Sequence, residues 1–138
     1  MARKILIVDD ESDIATYLAT VLRVNGFSPT VAIDAQSALT IVHETHPDLI
    51  SLDIMMPKES GITMYIQLKK DQETVDIPVI IVSGVAQEGG FDFRSYVPDE
   101  SVAEPECFME KPIDVDEYVK TIKQLTSSKR STKRQIDK

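Results

Sequence analysis

Ile5-Leu6-Ile7-Val8-Asp9-Asp10-Glu11 is the stretch whose reading decides the fold of this chain. Four consecutive apolar residues, rich in β-branched side chains, read as a strand buried on both faces of a parallel sheet. The run breaks at three acids. From Ser12 the period becomes helical, with Ile14, Tyr17, Leu18, Val21 and Leu22 recurring on one face and Gly26 as the C-terminal stop. Outward from this unit the alternation repeats. Ser28 to Ile33 is strand-like and contains Pro29, whose missing N–H is tolerated at a sheet edge and not in its middle. Asp34 offers an N-cap to a helix carrying Ala35, Ala38, Leu39 and Val42, ended by Pro47. Leu49 to Leu52 is a third strand closing at Asp53, and a helix runs from Gly61 to about Lys70. Ile77 to Val82 is a fourth strand and Cys107 to Met109 a short fifth; Val115, Tyr118, Val119, Ile122 and Leu125 mark a last amphipathic helix. The pattern predicts an α/β domain with a parallel sheet and right-handed crossovers, binding ligands outside the carboxyl ends of its strands.

At 138 residues the chain has the length of one domain, so one site has to do the work. Its apolar runs are far shorter than the roughly 18 to 20 residues that span a bilayer, and the four before Asp9 are too few for a secretory signal. Cys107 has no partner, which excludes a disulfide scaffold and places the expected home in the cytoplasm. The net charge of -8 is uneven: residues 1–126 carry -12, whereas residues 127–138 carry +4. The acidic body is a poor nucleic-acid binder. We therefore expect a domain over 1–126 and, over 127–138, a basic flexible tail or the start of a linker, with neither nucleic acid nor membrane as partner.

Asp9 and Asp10 stand where the first strand ends and Asp53 where the third ends. If those strands are neighbours, three carboxylates converge, each pair costing about 1 kcal/mol at 4 Å in water and several times more in a shielded pocket. Such a cluster needs a cation, and oxygen ligands without cysteine or histidine favour a hard one, Mg²⁺ rather than Ca²⁺. A plainer reading has Asp10 and Glu11 merely capping the next helix. Asp53 argues against it, because Ile54-Met55-Met56-Pro57 is no helix start. A dinucleotide turn is excluded, since a pyrophosphate wants glycines where this chain has three acids. Ser83 ends the fourth strand and Lys111 follows the fifth. Singly these read as a turn former and a loop residue; jointly with the carboxylates they match phosphoryl transfer. An ionised carboxylate attacks phosphorus without a general base, while a cation, an ammonium and a hydroxyl hold the equatorial oxygens.

On these residues, together with Gly61, Ser83-Gly84 and Lys111-Pro112, the sequence resembles the receiver domain of two-component response regulators over roughly residues 3 to 126. The resemblance implies a flavodoxin-like five-stranded sheet of order 2-1-3-4-5. It implies Asp53 as phospho-acceptor, Asp10 as direct Mg²⁺ ligand, Asp9 acting partly through water, and the Met55 carbonyl as a further ligand. It makes Lys111 the partner of the phosphoryl oxygens, with a usually cis bond to Pro112, and Ser83 and Phe108 the switch pair. A histidine kinase or phosphotransfer protein is the implied donor and an unidentified downstream protein the receiver of the signal; the domain catalyses only its own phosphorylation and dephosphorylation. Phe108 also reads as a plain core aromatic. Apolar Met55 and Val85 predict slow self-dephosphorylation. The sequence departs from the family between Ser83 and Lys111, where Gly89-Gly90, Pro98, Pro105 and six acids between positions 84 and 106 make a regular fourth helix hard to write. We expect a remodelled loop or shortened helix serving a particular partner.

Other features carry less. His43 and His46 read as solvent-facing helix residues rather than metal ligands, and Cys107 as a small buried hydrophobe. Two further functions compete. A Mg²⁺-dependent aspartyl phosphatase would want a second Asp two residues after its nucleophile and a cap domain, and neither is present. A receiver-like module that binds partners without phosphorylation would not need Asp10, Asp53, Ser83 and Lys111 together.

Overall fold

The computed structural model describes residues 2–54, 61–84 and 93–127. Five strands, β1 (Lys4–Val8), β2 (Ser28–Ala32), β3 (Leu49–Asp53), β4 (Val79–Ser83) and β5 (Cys107–Glu110), form one sheet of order β2-β1-β3-β4-β5. All its pairings are parallel, with Val8 opposite Leu52, Asp53 opposite Val82 and Ser83 opposite Glu110. The helices are α1 (Ser12–Val24), α2 (Ala35–Thr45), α3 (Gly61–Lys70), α4 (Phe93–Tyr96) and α5 (Val115–Leu125). This is the flavodoxin-like order, and the edge position of β2 accommodates Pro29.

Strand side chains alternate between two cores, as their period of two requires. Ile5, Ile7 and Leu49 pack under α1 and α5 with Leu18, Leu22, Tyr118 and Ile122. Leu6, Val8, Ile50 and Leu52 pack on the other face with Ala38, Val42, Met64 and Tyr65. Tyr17 does not join the α1 stripe and is exposed, because Ala15, Leu18, Ala19 and Leu22 already fill the buried face and residue 17 lies about 100° from residue 18. Asp34 caps α2 through the Ser37 N–H at 2.7 Å. Gly26, at φ 89°, terminates α1. β4 begins at Val79 rather than Ile77, since the Ile77 N–H closes a turn onto Thr74 and its carbonyl accepts from the buried Lys69 ammonium.

Within 93–106 the only helix is the single turn of α4; Gln87 to Asp92 lie outside the described residues. Residues 97–106 are not helical, yet they are tied down. Val97 and Val102 are buried, the Tyr65 hydroxyl donates to the Ala103 carbonyl, and Arg94 donates to the carbonyls of Val97 and Asp99. Glu106 accepts from the Val79 N–H, joining the segment to the start of β4.

Candidate functional site

Asp9 continues the row of Ile5 and Ile7, and Asp53 the row of Leu49 and Ser51. The register of β1 on β3 therefore sets the two carboxylates side by side above one face of the sheet. Both are buried, 3% and 2% exposed, and Asp10 is half-buried beside them. Oxygens of the three lie within 4.8 Å of one another, and they are the one group among the described residues with the spacing to hold a metal ion. One oxygen, Asp10 Oδ1, is buried without a hydrogen-bond partner. A buried oxygen left unsatisfied costs about 1–3 kcal/mol, and a cation bound there would remove that cost. The donor set is all oxygen, so the residues fit a hard divalent ion.

Lys111 is brought in by β5. Its N–H donates to the Ser83 carbonyl at 2.9 Å and its bond to Pro112 is cis. The ammonium lies 3.1 Å from Asp53 Oδ2, 3.2 Å from Asp9 Oδ2 and 2.7 Å from Glu11 Oε1. Burial acts to lower the Lys111 pKa, but the bonds to Glu11, Asp53 and Asp9 outweigh it and push the group up. Burial raises the Asp9 carboxyl, and the charge of Asp53 adds to this; the Glu11 N–H, at 2.9 Å from Oδ1, and Lys111 oppose it. Below lies a buried hydroxyl floor of Ser51 and Tyr118, where burial raises the tyrosine.

Of the residues singled out by sequence, Asp9, Asp10, Asp53 and Lys111 are thus brought together, and Ser83 is buried one position beyond Val82, the neighbour of Asp53. Met55 and Val85 lie outside the described residues. Phe108 is 38% exposed, its ring 6.0 Å from that of Phe93, so a plain core aromatic does not describe it. Cys107 is only half-buried because β5 is the sheet edge. His43 is exposed and bonded to Asp71, and His46 ends α2 in the left-handed region at φ 48°. Sequence reasoning missed Glu11 as a partner of Lys111. Glu11 stands at the N-cap of α1 but makes no side-chain cap bond, so the capping reading does not hold for it.

Gly61 explains how α3 approaches the site. A Cβ there would sit 2.6 Å from the Asp53 carbonyl oxygen and 2.6 Å from the Ile54 Cα. Only glycine lets the helix start so close to the end of β3.

Fold and site together define a doubly wound α/β domain with an aspartate cluster at the carboxyl ends of its strands, bridged by one lysine. The chain belongs to the response regulator receiver domain family, which it matches over residues 5–123, and it is the receiver domain of a two-component response regulator. It is similar to the phosphate regulon transcriptional regulatory protein PhoB of Shigella flexneri, with 38% identity over 87% of this chain and 58% of that one. It is similar also to the DNA-binding dual master transcriptional regulator RpaA of Synechocystis sp., with 30% identity over 88% of this chain and 48% of that one. The chain thus spans about half the length of these curated relatives. Among solved structures, the Francisella response regulator 1452 receiver domain shares 29% identity at a TM-score of 0.74, over 90% of this chain and 96% of that one. A CheY-like receiver domain protein from Methanospirillum hungatei has a TM-score of 0.80 over 96% and 99%; at 20% identity it speaks for the fold alone. No helix among the described residues is long and apolar enough to cross a membrane.

Proposed function

We propose that this domain, over residues 1–126, is a phospho-accepting switch of the cytoplasm, with Asp53 taking a phosphoryl group from a histidine kinase or phosphotransfer protein in a Mg²⁺-dependent reaction. The observation that carries the reading is the Lys111 ammonium lodged between Asp53 and Asp9 beside the unpartnered Asp10 oxygen. An Asp53 oxygen attacks phosphorus, the P–N bond to the donor imidazole breaks, and the nitrogen leaves with the electron pair and takes up a proton. An acyl phosphate results. Asp10, Asp53 and Asp9 would hold Mg²⁺, together with the Met55 carbonyl that the family resemblance adds. When bound, the ion supplies positive charge against the oxygens of the transferring group. Lys111 supplies a further charge at the Asp9–Asp53 pair, and Ser83 a hydroxyl at the end of the adjacent strand.

Phosphorylation then shifts a population rather than creating a state. Ser83 is drawn to the new oxygens and Phe108 turns inward, toward a space already bordered by Phe93. Lacking a hydroxyl, Phe108 reports by packing alone. The surface it changes includes the acidic segment 97–106, which serves the downstream protein partner.

The test is incubation with acetyl phosphate and Mg²⁺, read by intact mass, with Asp53→Asn as control. One added phosphoryl group that requires Asp53 and Mg²⁺ is expected. Turnover of varied phosphoesters would instead mark a phosphatase, and no adduct a binding module that works unphosphorylated.

A further inference from the structure

Lys111 has three N–H donors, and three carboxylates surround it. The shortest contact is to Glu11, at 2.7 Å, rather than to Asp53 at 3.1 Å or Asp9 at 3.2 Å. Glu11 differs from the other two. Its side chain is 55% exposed, against 3% and 4% for theirs, and it lies outside the trio able to share a metal ion. Its place at the N-cap of α1 normally commits a side chain to the helix, but here the side chain reaches Lys111, 100 residues away in sequence. Its backbone N–H meanwhile holds Asp9 Oδ1, so the loop that carries the Glu11 carboxylate is anchored to the site.

We propose, resting on the phospho-acceptor reading above, that Glu11 is a positioning residue that holds the Lys111 ammonium at the mouth of the site and competes for it with the incoming phosphoryl oxygens. Once an Asp53 oxygen is bonded to phosphorus, Lys111 has to turn from Asp53 Oδ2 to a phosphoryl oxygen. Glu11 and the phosphoryl group then draw on the same three donors. The carboxylate at the mouth also repels an anionic donor on approach. Glu11 is therefore a brake on phosphoryl uptake and a factor that shortens the life of the product.

The experiment uses the full chain with acetyl phosphate and Mg²⁺, following phosphoryl uptake and later loss by intact mass. Glu11→Gln should speed uptake about two- to fivefold, the range expected for one partly exposed ion pair, and slow the loss by a similar factor. A structural defect would not produce an increase in rate. Glu11→Asp keeps the charge at the mouth but falls one methylene short of the 2.7 Å contact, so it should slow the loss as Glu11→Gln does while gaining less in uptake. Asp13→Asn removes a nearby charge that makes no ion pair with Lys111 and should leave both rates unchanged. Uptake by Glu11→Gln at or below the wild-type rate overturns the proposal, as does an equal gain in Asp13→Asn or wild-type behaviour of Glu11→Asp. If the wild-type chain takes up no phosphoryl group at Asp53, the phospho-acceptor reading falls and takes this one with it.

Discussion

Gly61→Ala puts the close approach of α3 to the end of β3 to the test. The added Cβ would meet the Asp53 carbonyl oxygen and the Ile54 Cα at 2.6 Å each, about 0.8 Å inside ordinary contact at 3.4 Å. Both obstacles are backbone, so no side-chain rotation relieves them. Forcing extra volume into a packed site costs about 1–3 kcal/mol, and a double clash with backbone belongs at the upper end. Alanine returns about 1 kcal/mol through its better helix propensity, leaving a net loss of about 2 kcal/mol. With an unfolding entropy of about 2.1 cal/mol/K per residue over about 120 residues, that corresponds to a fall in melting temperature of roughly 8 °C. The backbone that must yield carries Asp53, so its carboxylate moves away from Lys111 and phosphoryl uptake slows as well. Gly26→Ala is the control: nothing lies within 4 Å of its Cβ, but its φ of 89° imposes strain of about 1–2 kcal/mol. It should lower the melting temperature and leave uptake alone. Thermal melts by circular dichroism and uptake by intact mass read both effects. A Gly61→Ala chain melting within about 2 °C of wild type, with normal uptake, would refute the argument that only glycine lets α3 start there.

Three further outcomes follow from the geometry. Lys111→Ala removes the cation that lies 3.1 and 3.2 Å from Asp53 and Asp9, and should bind Mg²⁺ more tightly while taking up phosphoryl groups at least about tenfold more slowly. Calorimetric titration showing weaker Mg²⁺ binding would mean that the lysine organises the carboxylates rather than competing for them. His43 offers one ring nitrogen to the Leu39 carbonyl and the other to Asp71, an arrangement that wants both protonated; the Asp71 bond is the main cause of its raised pKa. Its contribution to stability is therefore fully present below the unfolded pKa near 6.5 and is lost as pH rises through the higher folded value. Urea melts between pH 6 and 9 should show a small decline that His43→Gln abolishes; an unchanged slope sinks the assignment. Tyr65→Phe removes the bond to Ala103 while keeping the edge-on contact with Phe93, costing about 1 kcal/mol. Amide exchange should quicken in 97–106 and not in the sheet, and uniform quickening would contradict that.

What was legible in the sequence is what depends on periodicity and on strand ends. An unbroken apolar run can be satisfied only with both faces covered, so the runs of β1 and β4 point to a parallel sheet, and the acids closing β1 and β3 then lie at its carboxyl edge. Pro29 fixed β2 as an edge by the hydrogen bond it lacks. Tyr17 misled because helical spacing alone does not say which of two adjacent rows is buried when alanines can fill one of them. Phe108 and Cys107 were harder, since a short edge strand buries only part of its residues. The Glu11 contact with Lys111 spans 100 residues, and no local pattern encodes it. Its one sequence signal was adjacency to Asp10, and capping explained that equally well.

The electrostatics of the site follow from the same placement. Asp9, Asp10, Glu11 and Asp53 set four carboxylates at a site with one ammonium, which pairs with all of them but Asp10, on a body whose charge over residues 1–126 is already -12. An anionic phosphoryl donor approaching that rim meets net repulsion, and Lys111 can relieve only part of it because each of its three donors is already spent on a carboxylate. On the proposed phospho-acceptor reading, Asp53 would be placed to attack but electrostatically shielded from its donor. The shield has two removable elements. One is the unneutralised Asp10 oxygen, which a divalent ion would satisfy; the other is Glu11, which is exposed and outside the metal-binding trio. On the same reading the first would make the reaction conditional on a cation. The second would then set how fast it runs once the cation is there, so a side chain that touches neither phosphorus nor metal should still govern the rate.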